Sequence, residues 1–121
     1  MNSLSNDIRS AVVPDRAVQL WWLGQAGFAF KTPAGKTVFL TTDTQFCPNQ
    51  IMDFYKMADV IFHDCETTKF KSGVHAHYNE LCTLPKEVKA KMWLYHYQTS
   101  DRPAEQDGFA GSVAKGQEFD L

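Results

Sequence analysis

The chain has 121 residues, 44% of them apolar, and a net charge of −2. That length suits one domain with one hydrophobic core. The near-neutral balance and scattered Lys and Arg exclude the electrostatic footprint of a nucleic-acid binder and argue against a membrane-surface patch.

Residues 1–16 read as a polar N-terminal leader, and 17–121 as the domain. In the leader, Ser5 or Asn6 can cap a short helical turn over Ile8 to Val12, and Pro14 stops it. The leader has no apolar signal-peptide core, and no apolar run is long enough to span a bilayer. Val18 to Leu23, rich in β-branched and aromatic types, predicts a strand. Gly24-Gln-Ala-Gly27 interrupts it, and glycine there marks a close backbone approach. Phe28 to Lys31 resumes the strand, Thr32-Pro-Ala-Gly35 turns it, and Lys36 to Thr42 returns antiparallel.

Pro48 to Met57 places Ile51, Met52, Phe54, Tyr55 and Ala58 on one helical stripe. Asp59 to His63 reads as a buried strand and residues 65–77 as a polar loop. Tyr78 to Leu84 gives a turn or two of helix, and Pro85 with Glu87 opens another. Lys91 to Tyr97 is a fifth strand, Thr99 to Asp107 a loop, and Gly108 to Phe119 a hairpin turning at Ala114-Lys-Gly116. Strands alternating with short helices predict an α/β domain: one mixed β-sheet with helices on one face. The aromatics Trp21, Trp22, Trp93, Tyr95 and Tyr97 fall on strands, where they fill a core or mark an interface.

Three cysteines, Cys47, Cys65 and Cys82, with no Cys-x-x-Cys spacing, fit free buried thiols in a reducing cytoplasm. Adjacent strand residues point to opposite faces, so His63 is poorly placed to activate Cys65 as a nucleophile. The four histidines are His63, His75, His77 and His96; Asp43, Asp59, Asp64, Glu66 and Glu80 are the carboxylates near them. Imidazole and carboxylate together suit zinc, iron or manganese, and a catalytic site needs about three protein ligands and an open position.

Val18-Gln-Leu-Trp-Trp-Leu-Gly-Gln-Ala-Gly-Phe-Ala-Phe30 resembles the opening strand pair and glycine turn of the metallo-β-lactamase superfamily of metal-dependent hydrolases, most of all its lactonase-like branch. Thr41-Thr-Asp-Thr-Gln45, Ala58-Asp-Val-Ile-Phe-His-Asp64 and Trp93-Leu-Tyr-His-Tyr97 resemble its closing part, in the family order. The resemblance implies half of a four-layer αββα sandwich. It matches Asp43 to a metal-bridging aspartate, His96 to the last ligand histidine, and His63 and Asp64 to residues behind the ligands. The family's His-x-His-x-Asp-His cluster belongs between Phe39 and Asp43, where there is no room for it. His75-Ala-His77-Tyr-Asn-Glu80 is similar to that cluster but lies after Asp43, in the wrong order.

Three readings follow, the least favoured being an unrelated small α/β binding module whose likeness to the family is accidental. Of the other two, one is a truncated domain of this type without hydrolase activity. The other is a metal-dependent hydrolase, lactonase- or phosphodiesterase-like, with a reduced site of Asp43, His96, His75 and His77. The cofactor expectation is accordingly no metal, or one zinc, iron or manganese ion; a small-molecule substrate is left unnamed. A lone half-sandwich would leave one sheet face wet, carrying Trp21, Leu23, Phe39, Ile61 and Leu94, and a homodimer would cover it.

Overall fold

The computed structural model describes residues 3–98, 102–103 and 107–121. The elements are α1 (Ser3–Ser10), β1 (Gln19–Trp22), β2 (Phe28–Lys31), β3 (Thr37–Leu40), α2 (Pro48–Met57), β4 (Val60–Asp64), α3 (Tyr78–Leu81), α4 (Lys86–Lys89), β5 (Met92–Tyr95) and β6 (Gly111–Ser112). They build one six-stranded sheet in the order β1-β2-β3-β4-β5-β6. β1, β2 and β3 run antiparallel, and β3 to β6 pair in parallel.

The mixed character follows from the connections. β2 and β3 are joined by the Thr32–Gly35 turn, closed by Gly35 N–H to Thr32 O (2.9 Å). A connection of five residues is far too short for a parallel crossover and can only reverse the chain. β3 to β4 and β4 to β5 each carry helix, and a parallel crossover of this kind is right-handed. Successive crossovers moving the same way across the sheet put α2, α3 and α4 on one face. α1 joins them there, with Ile8 fully buried in the same core cluster.

That face is the core. The cross-strand row Trp21, Ala29, Phe39, Ile61, Met92 lies under the helices, and its last four members are inaccessible to solvent. α2 packs Phe54 and Tyr55 against Phe39, with ring centroids 5.8 and 5.9 Å apart. Two lysines fasten the helices by their C-terminal carbonyls, where a cation meets the negative end of the dipole. Lys31 Nζ donates to Ile8 O (3.1 Å) and Arg9 O (2.8 Å) of α1. Lys91 Nζ donates to Ala58 O (2.6 Å) and Lys56 O (3.3 Å) at the end of α2.

The opposite face carries two further rows, Leu20-Phe30-Val38-Val60 and Trp22-Phe28-Leu40-Phe62-Trp93. No helix covers them. Phe119 leans on this side, edge-on to Phe62 and Trp93 at 4.8 and 4.9 Å, and Val38 of the first row is fully buried. Here the sequence expectation is corrected. Trp21, Phe39, Ile61 and Leu94 are not the wet face but the helix-covered one, and Leu23 packs against the same core. Period-two alternation separates the faces; it does not say which one the helices choose.

Two other differences stand out. The expected leader contributes a full helix, α1, whose Ile8 and Ser5 are buried. The expected C-terminal hairpin is absent: β6 is two residues long and pairs parallel to β5. Its turn at Ala114–Gln117 exists, closed by Gln117 N–H to Ala114 O (2.9 Å), but no return strand follows among the described residues. No helix among the described residues is long and apolar enough to cross a membrane.

Candidate metal centre

Ligands of open α/β sheets gather beyond the carboxyl ends of parallel strands. Here those ends carry the histidines and aspartates. Asp43 follows β3, Asp64 ends β4, His75 lies in the loop after β4, and His96 follows β5. One ligand atom from each of these four residues lies within 4.8 Å of the others.

Asp64 is the hub. Its side chain is 1% exposed. Oδ2 accepts from Thr44 N–H at 3.0 Å and from His75 Nδ1 at 2.7 Å; Oδ1 accepts from His96 Nδ1 at 2.9 Å. A carboxylate holding both Nδ1–H groups leaves the lone pair of each neutral ring on Nε2, the arrangement that prepares imidazole as a ligand. The hydrogen bond that His75 donates to Asp64 also raises the His75 pKa. Asp43 Oδ1 stands 3.4 Å from His96 Nδ1, and the two rings of His75 and His96 meet edge-on at 5.0 Å. Asp43 and His96 form the open side, with side chains 71% and 49% exposed.

Local backbone places these groups. His96 has φ +68°, a left-handed conformation uncommon outside glycine and concentrated at functional sites. Thr41 ties three strand ends together. Its N–H donates to Phe62 O (3.0 Å), its Oγ1 accepts from Asp64 N–H (2.8 Å), and its carbonyl accepts from Tyr95 Oη. Beside Asp43 opens a cleft of about 360 Å³, walled by Gln25, Thr44, Gln45, Gln50 and Ile51.

The sequence-derived candidates divide. Asp43, His96 and His75 come together. His77 does not. It caps α3, accepting from Asn79 N–H at Nδ1 (3.2 Å), while its own N–H donates to Glu80 Oε1 (3.1 Å). Nε2–H donates to Thr68 O at 2.7 Å, so both ring nitrogens are engaged. Asp64 lies against both imidazoles, hydrogen-bonded to Nδ1 of His75 and of His96. His63 faces away into the core, donating from Nδ1 to Asp64 O (2.8 Å) and accepting at Nε2 from Tyr55 Oη (2.6 Å). Thr41 and Thr44 escaped the sequence reading, although the Thr-Thr-Asp-Thr run was its signal.

Burial pushes the His63 pKa down to about 4. The unfolded ring titrates near 6.5. Between these values the unfolded state binds the extra proton, so stability is intact above pH 6.5 and drains away as pH falls towards 4. Denaturant titrations should show a loss of about 2 to 3 kcal/mol from pH 7 to 4.5 that is largely absent in His63→Asn. The raised His75 pKa acts in the opposite direction, but its ring is partly exposed and its effect is screened. A wild-type profile that is flat over this window contradicts the assignment of His63 as a buried neutral ring.

The fold defined by this sheet and its helices is that of the metallo-β-lactamases. The metallo-β-lactamase fold protein YhfI from Bacillus subtilis superposes with a TM-score of 0.53 and 19% identity, over 87% of this chain and 49% of that one. A family model, Anti-Pycsar protein Apyc1, matches residues 18–119, and the chain belongs to that family. The Anti-Pycsar protein Apyc1 of Paenibacillus harenae is 40% identical over 63 residues. The match takes 49% of this chain and 24% of that relative, so the chain spans well under half of the curated protein's length in the aligned region.

Proposed function

We propose that this chain is a metal-dependent hydrolase domain acting on phosphodiesters, with a single divalent ion held by Asp43, His75 and His96 and with Asp64 behind the two imidazoles. The observation that carries this reading is the convergence of two carboxylates and two imidazoles, from four separate segments, within 4.8 Å. The donor set fits zinc, iron or manganese, and Asp43, His75 and His96 supply the three protein ligands a catalytic zinc requires. Family membership supports cyclic nucleotides as the substrate class to test. When bound, such an ion acidifies a water and polarises a phosphoryl oxygen. The chain's own residues do the rest. Asp64 orients both imidazoles, Asp43 and His96 line the solvent side, and the neighbouring cleft has room for the body of a substrate.

A second reading is a domain that keeps the frame and has no turnover. It is favoured by the missing His-x-His-x-Asp-His segment and by the fact that only one such donor group exists among the described residues. Elemental analysis and hydrolysis assays separate the two. The first reading expects one ion per chain and cleavage of a cyclic nucleotide, with metal affinity falling by at least about tenfold in Asp43→Ala and His96→Ala. His77→Ala should leave metal content unchanged and lose about 1 kcal/mol from the cap of α3. One ion without turnover favours the second reading; no ion at all sinks the first.

A further inference from the structure

We propose that the cleft between α3 and the loop after β4 is a binding site for a phosphate monoester of mononucleotide size, gripped by Lys69 and Arg102. This goes beyond the hydrolase reading and does not depend on it.

The first observation is the cavity. It encloses about 520 Å³, against about 360 Å³ for the cleft beside Asp43. Small-molecule sites run from about 300 to 1,000 Å³. Polar groups reach it from three segments: Thr67, Thr68 and Lys69 after β4, Asn79 of α3, and Arg102 beyond β5.

The second is charge. Two cations line the cleft and, among the described residues, no carboxylate does. The chain as a whole carries −2, so the cleft reverses its sign locally. Acids on the neighbouring segments are bonded elsewhere. Asp107 accepts from Tyr78 Oη, Glu66 Oε2 from Ser72 N–H (3.0 Å), and Glu80 Oε1 from His77 N–H (3.1 Å). Neither Lys69 nor Arg102 forms an ion pair among the described residues. Two like charges around one cavity repel, and a bound dianion turns that repulsion into attraction.

The third is preorganisation. His77 caps α3 through Nδ1 and donates from Nε2 to Thr68 O at 2.7 Å, so one ring fastens the loop to the helix. Thr67 Oγ1 donates to Gln98 Oε1 at 3.2 Å. Arg102 spends one donor on Ser112 O (3.2 Å) and keeps the rest of its fork. Lys69 Nζ lies over the ring of Phe70, 5.7 Å from its centroid. Walls held in this way need little ordering when a ligand enters.

These groups select the ligand. A guanidinium takes two oxygens of one phosphate, and an ammonium adds a compact charge beside it. A bare phosphate would leave most of the cavity empty. Tyr78 and Pro103 line the remainder and offer a flat organic body an apolar surface. A nucleoside 5′-monophosphate combines both parts.

The test uses the metal-free chain, titrated separately with adenosine 5′-monophosphate, inorganic phosphate and adenosine, and followed by amide chemical shifts. The monophosphate should shift Thr67, Thr68, Lys69 and Asn79 saturably, at least about tenfold more tightly than either fragment. Lys69→Ala and Arg102→Ala should each weaken it at least about tenfold. Both side chains are exposed, so these variants stay folded. Salt at about 0.5 M should weaken binding too. No saturable shift up to about 10 mM overturns the proposal, as do shifts confined to the surroundings of Asp43 and His96. Inorganic phosphate binding as tightly as the monophosphate overturns the ester, and adenosine doing so overturns the anion. With metal absent, a failed titration leaves the hydrolase reading standing, and a failed hydrolysis assay leaves this site standing.

Discussion

Asp64→Ala is expected to lower folding stability by about 2 to 4 kcal/mol and to abolish metal uptake. The carboxylate is buried and accepts from Thr44 N–H, His75 and His96. Removing it leaves the buried Thr44 N–H without its acceptor, which alone costs about 1 to 3 kcal/mol. Both imidazoles lose the group that fixes their tautomer and aim, so the loss reaches the ion even where folding survives. A single domain has about 5 to 15 kcal/mol in total, so this is a large share. Asp64→Asn separates the two effects. It keeps the volume and one acceptor oxygen, so it should recover part of the stability without recovering metal affinity. Urea denaturation and equilibrium dialysis against zinc are the measurements. A loss below about 1 kcal/mol with metal binding intact would refute the role of Asp64 as hub.

Much of this was legible in the sequence because strands and turns announce themselves locally. Pro and Gly in Thr32–Gly35 fixed the reversal between β2 and β3, and the stripe of Ile51, Phe54 and Tyr55 fixed α2 and its buried side. Asp43 and His96 were visible through family resemblance and through their positions after strands. What stayed hidden depends on tertiary placement. His75 and His77 are two residues apart, share a chemistry and carry no local mark that separates them. The fold sends His75 to Asp64 and uses His77 to cap α3. Asp64 was expected behind the ligands, but its two imidazole partners could not be named from the Phe-His-Asp segment. Its burial is what makes it central, since a solvated carboxylate would not hold two imidazoles. The covered side of the sheet was misjudged for a similar reason: both faces are apolar, so polarity could not choose between them. β6 was misread because its pairing partner, β5, lies far off in sequence and only two residues take part.

The second large effect concerns a residue that touches no ligand. Gly27→Ala should destabilise the chain by more than about 4 kcal/mol, leaving it largely unfolded. Gly27 closes the short 3-10 turn of Gly24–Ala26 between β1 and β2, accepting from Leu23 N–H at 2.8 Å. Its φ is +116°, a conformation open to glycine and closed to other residues. A Cβ there would lie 2.2 Å from Leu40 O, 2.8 Å from Thr41 Cα and 2.9 Å from Thr42 N. All three are backbone atoms, so no side-chain rotation relieves the clash. β3 would have to move away from the turn, and Thr41, which bonds Asp64 and Tyr95, would move with it. Stability and the metal centre should therefore fail together. Gly24→Ala is the control. Gly24 also has positive φ, +73°, but nothing lies within 4 Å of its added Cβ. It should carry only the left-handed penalty of about 1 to 2 kcal/mol and remain folded. The difference between the two variants isolates the close approach from the dihedral. Thermal denaturation reads both, and a Gly27→Ala midpoint within a few degrees of Gly24→Ala would mean that the backbone of β3 yields and that the turn does not set the site.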